Sequence, residues 1–204
     1  MVDQNKRIDI LKAASACFAR YGYDKTTMDD IGKMVGLNKA SLYYYYKNKD
    51  SIFTEVIALE ADEFLRTVLD KVARAEGCKE KVITYIVEWL RYIQKAINLH
   101  NLTQEIIQNS CTMFNQLYED IMEKETSHLA EILEHCIQRG VIVKCDSRKV
   151  AKSIITVTEA IKDRQCNLLS CSLNSEIDFG ALEEEVVFTV SLMLNGLVKD
   201  NTGK

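Results

Sequence analysis

The residues from Thr26 to Asp50, TTMDDIGKMVGLNKASLYYYYKNKD, bring a lysine and four successive tyrosines close behind a glycine turn. Tyrosine offers a flat apolar ring and a hydroxyl, and lysine a point charge. Together they suit a surface that grips phosphates and reads base edges. Within an expected helix over Lys39–Tyr46, Leu42 and Tyr46 lie four apart and share a face with Leu37, so that face turns inward. Lys39, Ala40, Tyr43 and Tyr44 form two i,i+4 pairs on the opposite side. Four consecutive aromatics cannot all point inward from one helix. The outward two have no folding role, and DNA is the contact their chemistry fits.

The elements that position this face are marked by local signals. A first helix over about Lys6–Tyr21 carries Ile8, Leu11, Ala14 and Phe18 at helical spacing and stops at Gly22. Thr27 followed three residues later by Asp30 is a variant capping box for a second helix, Met28–Val35, closed by Gly36. Asn38 caps the third. Two short helices joined by a glycine turn, with the second carrying the contact face, form a helix-turn-helix pattern.

Downstream, Asn48 opens a long fourth helix, about Lys49–Ala75, with Ile52, Phe53, Val56, Phe64, Val68 and Val72 as its stripe. A fifth, about Lys79–Ile97, follows Gly77. A short segment over Thr103–Asn109 leads to a helix over about Thr112–Arg139, stopped at Gly140. Asp146 or Ser147 caps an eighth reaching about Leu169, and a ninth covers about Leu182–Val198. That last helix is apolar on more than one face, which implies burial both in its own core and against another subunit. The chain has no proline, and the expected fold is all-α, with about nine helices: a three-helix head over residues 1–48 and a larger helical body over 49–204.

The net charge of −4 is unevenly spread. The first fifty residues hold nine Lys or Arg against six Asp or Glu, a local excess of three positive charges, and the remainder is acidic. A basic head on an acidic body suits a single nucleic-acid face. No apolar run approaches the ~20 residues needed to span a bilayer. The polar start, Met1–Arg7, has no apolar export segment after it, so a cytoplasmic location without membrane contact is expected. The seven cysteines are odd in number and form no CxxC pair, so reduced, mostly buried thiols are expected.

The run Thr27, Ile31, Gly36 and then Leu42-Tyr43-Tyr44-Tyr45-Tyr46-Lys47-Asn48-Lys49-Asp50 resembles the TetR/AcrR family of transcriptional regulators over residues 8–53. The resemblance implies a dimeric regulator that binds a double-stranded DNA operator and is released, as a repressor, by a small-molecule effector. It implies a phosphate contact at Thr27, base-edge contacts from Lys39, Ala40 and Ser41, and contacts to phosphate, sugar or thymine methyl from Tyr43 and Tyr44. Tyr45 matches a position often held by His, and Lys49 a phosphate-binding lysine. Asn38 stands where Ser is common, Ala40 where Gly is common, and Gly32 where Ala is usual, at a small expected cost to its helix.

Beyond residue 55 the resemblance is architectural. It suggests a body pocket lined by Tyr85, Trp89, Tyr92, His100, Gln104, Asn109, Phe114 and Tyr118, suited to a lipophilic or amphipathic molecule, and a homodimer formed through the last two helices. Packing explains the Tyr85, Trp89, Tyr92 spacing equally well. His128, Glu131 and His135 have a spacing that could gather a metal, but in Glu-rich surroundings they read as a solvated face, and no metal or cofactor is expected. Cys145, beside Lys144, is the best placed thiol for redox chemistry. A partner-binding coregulator with the same fold and no DNA contact is the alternative reading. With three histidines, no glycine-rich phosphate loop and no nucleophile–base pairing, an enzyme has no support.

Overall fold

The computed structural model describes residues 3–100, 102, 115–170 and 178–198. Among these it forms eight α-helices: α1 (Gln4–Tyr21), α2 (Met28–Val35), α3 (Lys39–Tyr45), α4 (Lys49–Arg74), α5 (Cys78–Leu99), α6 (Asn115–Gln138), α7 (Ser147–Ser170) and α8 (Phe179–Asn195). The expected segment over Thr103–Asn109 lies outside the described residues. The all-α architecture is as expected.

Capping chemistry sets the helix starts in the head. Asp3 accepts from the backbone N–H of Asn5 and Lys6, which starts α1 two residues earlier than its apolar stripe suggests. The Thr27–Asp30 capping box is present in both directions. Asn38 accepts from Ser41 N–H at 2.8 Å, and Asn48 from Ser51 N–H at 2.8 Å. Gly36 ends α2 in the left-handed region at φ 69°, where a side chain would be strained.

Gly32 has a tertiary reason that its helix position hides. A Cβ there would lie 2.9 Å from the Leu37 carbonyl oxygen, and Leu37 N–H donates to the Gly32 carbonyl at 2.8 Å. The turn therefore folds back onto α2 where only hydrogen fits. On an open helix Gly→Ala gains ~1 kcal/mol. Here Gly32→Ala should instead lower head stability by about 1–3 kcal/mol, read as a shift in the urea midpoint. An unchanged or higher midpoint would contradict the close approach.

The chain divides into two compact units. One comprises Met1–Leu65 with Ile93–Leu117, the other Arg66–Tyr92 with Tyr118–Lys204. In the first, Phe18 meets Phe53 edge-on at 5.2 Å, and Ile10, Leu11, Ile31, Leu42, Ile52 and Val56 close the core. Ile8 departs from the expected stripe: it is exposed, and Ile10 and Cys17 take the core side of α1.

In the second unit, Val82, Ile86, Leu90, Leu129, Leu133 and Ile154 are buried together with one face of α8, Leu182, Val186, Val190 and Leu194. Phe188 and Leu192, on another face of α8, are 65% and 56% exposed. Val143 N–H donates to the Leu197 carbonyl at 2.8 Å, tying the α6–α7 loop to the end of α8.

The expectation of reduced cysteines is corrected at one pair. Cys78, the first residue of α5, and Cys136, near the end of α6, form a disulfide with Cα atoms 5.7 Å apart. Their sequence separation is 58, so only the tertiary packing brings them together, and no local spacing announces it. Cys145 is free and half-buried. Burial and the acids Asp146 and Glu134 push its thiol above the usual range, the opposite of an activated thiolate.

Candidate nucleic-acid interface

The third helix presents the face that its periodicity implies. Leu42 and Tyr46 are buried in the head core, and Lys39, Ala40, Tyr43 and Tyr44 face solvent, the two tyrosines at 45% and 69% exposure. Tyr45 is half-buried against the core and meets Tyr44 edge-on at 5.3 Å, so it backs the exposed ring. Ser41 is half-buried at the helix start, and Asn38 spends its side-chain oxygen on the cap. Lys39, Ala40, Tyr43 and Tyr44 thus form one outward patch, and Tyr45 and Ser41 lie at its edge.

Thr27 sits at the N-terminus of α2, exposed, but its hydroxyl donates to Asp30 Oδ2 at 2.5 Å and its N–H to the same oxygen at 3.0 Å. These bonds hold the Asp30 carboxyl below the usual carboxylate range. A phosphate arriving there would have to share or displace Asp30 to use the threonine hydroxyl.

Lys49 is tied inward as well. Its Nζ donates to the Tyr23 carbonyl at 2.7 Å and the Asp24 carbonyl at 3.3 Å, and it lies 4.3 Å from the Tyr23 ring centroid. Burial pushes its ammonium below the ordinary lysine value. Beside it, Tyr23 donates its hydroxyl to Asp50 Oδ1 at 2.5 Å, and burial together with Asp50 raises that phenol. Lys49 and Asp50, the first two residues of α4, therefore clamp the α1–α2 loop. Tyr23 and Asp50 are positioning residues that spacing in the sequence does not reveal, because each partner is 26 or 27 residues away.

The residues suggested for an effector pocket are divided between the two units. Tyr85, Trp89 and Tyr92 are buried along one face of α5, with the Trp89 and Tyr92 rings stacked at 5.5 Å. Tyr118, on α6, is half-buried and donates to Glu159 Oε2 at 3.0 Å. These four belong to the second unit. His100 belongs to the first, fully buried between Phe18 and Phe53, with Nε2 2.8 Å from Glu60 Oε2. Gln104, Asn109 and Phe114 lie outside the described residues. Two buried acids, Glu125 and Glu159, accompany the tyrosines, and the sequence does not announce them, because a glutamate on an amphipathic helix ordinarily faces water. No group of three His, Cys, Asp or Glu among the described residues is arranged to hold a metal ion.

Residues 10–56 match the family described as bacterial regulatory proteins, tetR family. The chain is 27% identical over 154 residues to YhgD of Bacillus subtilis, an uncharacterized HTH-type transcriptional regulator, covering 74% of this chain and 78% of that one. It is 27% identical over 120 residues to IcaR of Staphylococcus aureus, the negative transcriptional regulator of the biofilm operon icaADBC, covering 56% of this chain and 64% of IcaR. Among solved structures, a transcriptional regulator from Cytophaga hutchinsonii superposes with a TM-score of 0.78 at 24% identity, covering 93% of this chain and 97% of the other. FadR of Bacillus subtilis, solved with stearoyl-CoA, superposes with a TM-score of 0.62 at 23% identity, covering 90% and 97%.

Proposed function

We propose that this chain, whose residues 10–56 match the tetR family of bacterial regulatory proteins, is a DNA-binding transcriptional regulator: a homodimeric repressor, released from its operator when a small molecule occupies the helical body. What supports the DNA-reading part most is the outward patch of Lys39, Ala40, Tyr43 and Tyr44 on a helix anchored by buried Leu42 and Tyr46. Phosphate contacts from Thr27, Tyr44, Tyr45 and Lys49 supply most of the affinity, and Lys39, Ser41 and Tyr43 discriminate bases. Residues 1–48 serve as the reading head and 49–204 as the effector and dimer body.

The exposed Phe188 and Leu192 on α8 supply an apolar surface for the partner subunit, formed with α7. Two heads in such a dimer must stand roughly 34–36 Å apart, or a multiple, to enter successive major grooves. An effector releases DNA only if it binds more tightly to a state with another separation. The direction of control follows IcaR, a negative regulator, and FadR with stearoyl-CoA offers precedent for a ligand in this fold.

The testing experiment titrates the purified protein onto the DNA upstream of its own gene and follows anisotropy against salt. A specific complex with a steep log–log slope is expected. Lys49→Gln should flatten that slope by ~0.9, the contribution of one phosphate contact. If the slope stays put while thermal stability falls, Lys49 serves only the loop clamp. Absence of any specific complex would overturn the regulator reading.

A further inference from the structure

The Cys78–Cys136 disulfide is unexpected in a DNA-bound regulator. Such a protein works where thiols are kept reduced, and a disulfide formed there is usually transient and redox-sensing. Nor is the second unit a small domain short of a core, since Val82, Ile86, Leu90, Leu129, Leu133 and Ile154 are all buried in it. The two cysteines also differ as the members of a working pair do. Cys78 is the first residue of α5, where the unpaired backbone N–H groups of a helix start favour a thiolate. It lies on the wall of a cleft of about 490 Å³ that Gly77, Ile83, Val141, Val187 and Val198 also line. Val141 and Val198 are exposed, so the cleft opens to solvent and gives a small reagent a way to Cys78. Cys136, in the last turn of α6, is 3% exposed and is placed to act second.

We propose that Cys78 and Cys136 are a reversible thiol–disulfide couple that senses hydroperoxides, and that its closure releases the operator. The proposal rests on the regulator reading above and adds a signal to it. The Cys78 thiolate attacks one oxygen of hydrogen peroxide, the O–O bond breaks, and the departing hydroxide takes up a proton as water. The Cys136 sulfur then attacks the sulfenic acid on Cys78. The S–S bond forms, the S–O bond breaks, and the hydroxyl leaves with the Cys136 proton as a second water. Two thiols lose two electrons, and the peroxide gains them. A thiol reductant reverses the change by exchange and ends as the disulfide itself.

The fifth helix carries the change to the reading head. It is one unbroken element of 22 residues, about 33 Å long, whose residues to Tyr92 fall in the second unit and from Ile93 in the first. Just past its end, the His100 carbonyl accepts from Tyr23 N–H at 3.2 Å, and His100 Nε2 lies 2.8 Å from Glu60 Oε2. Tyr23 belongs to the α1–α2 loop that Lys49 and Asp50 clamp ahead of Thr27. The disulfide fixes one end of α5 and the other end holds a loop of the head, so closing the bond biases the head. In reducing surroundings the dithiol is the resting form, and the resting form of a repressor is the one on DNA. Closure is therefore the release.

The test equilibrates the full chain over mixtures of reduced and oxidised glutathione. Alkylation with peptide mass mapping identifies the bonded cysteines, and operator anisotropy is read on the same samples. The Cys78–Cys136 bond should pass from open to closed within those mixtures, and hydrogen peroxide should close it in the reduced chain. The open form should bind the operator ~5-fold or more tightly than the closed form, and operator DNA should favour the dithiol by the same factor. Cys78→Ser and Cys136→Ser should each bind as the open form does and ignore peroxide; the wild-type comparison stands without them should either fold poorly. A bond that stays closed or stays open across all mixtures would overturn the couple, as would a different pairing among the seven cysteines. Equal operator affinity of the two forms, or tighter binding by the closed one, would overturn its role in release. If neither form binds the operator, the regulator reading falls, and the glutathione mixtures still decide the couple.

Discussion

Replacing Tyr43 by alanine should weaken operator binding by about tenfold or more, the loss expected when one base-reading contact of roughly 1–3 kcal/mol is removed. The ring is well exposed and contributes nothing to the head core, so the melting midpoint should move by no more than ~0.5 kcal/mol equivalent. Tyr44→Ala, at a more exposed ring, should cost affinity on specific and unrelated DNA alike, because a phosphate or sugar contact carries no sequence information. Leu42→Ala gives the contrast. That side chain is fully buried, and its loss should cost about 2–5 kcal/mol of stability, abolishing DNA binding by unfolding the head. Anisotropy titrations and chemical denaturation, run on the same preparations, separate the two effects. Unchanged operator affinity in Tyr43→Ala would mean that another face reads the DNA.

Opening the Cys78–Cys136 disulfide should be the largest single loss of stability short of core truncation. A cross-link closing a loop of about this length removes chain entropy from the unfolded state worth up to about 4 kcal/mol. Urea unfolding with and without dithiothreitol should therefore show a lower midpoint in the reduced protein. Cys136→Ser should start at that lower midpoint and ignore the reductant. If the wild-type midpoint ignores it too, the two sulfurs are not bonded in solution. The second unit carries both cysteines, so the measurement should follow its unfolding in particular.

These outcomes also divide what could be read in the sequence from what could not. The capping box at Thr27 and Asp30, the Asn38 cap, the stop at Gly36 and the inward pair Leu42 and Tyr46 all depend on residues within one or two turns of each other. Local chemistry of that range is written directly in the order of side chains. Gly32 shows where it fails: position in a helix suggested a small weakness, whereas the Leu37 carbonyl packed against it demands a hydrogen there. His100 has partners that no local spacing announces: it lies fully buried beside Phe18 and Phe53 and faces Glu60. Lys49, Tyr23 and Asp50 meet across more than twenty residues, and Glu125 and Glu159 become an interior pair only once α6 and α7 pack. Each of these needs the fold before it can be seen.

The bonding of Lys49 and Asp50 to the α1–α2 loop has a bearing on engineering. A graft that moves the reading head to a foreign body, cut where the third helix ends, would sever both bonds and strip Phe53 and Val56 from beneath Phe18 and its neighbours. The portable module is longer: it keeps the opening turns of α4 as its floor. Chimeras that exchange operator preference among relatives should place their seam beyond Val56, where the transplanted piece brings its own foundation with it.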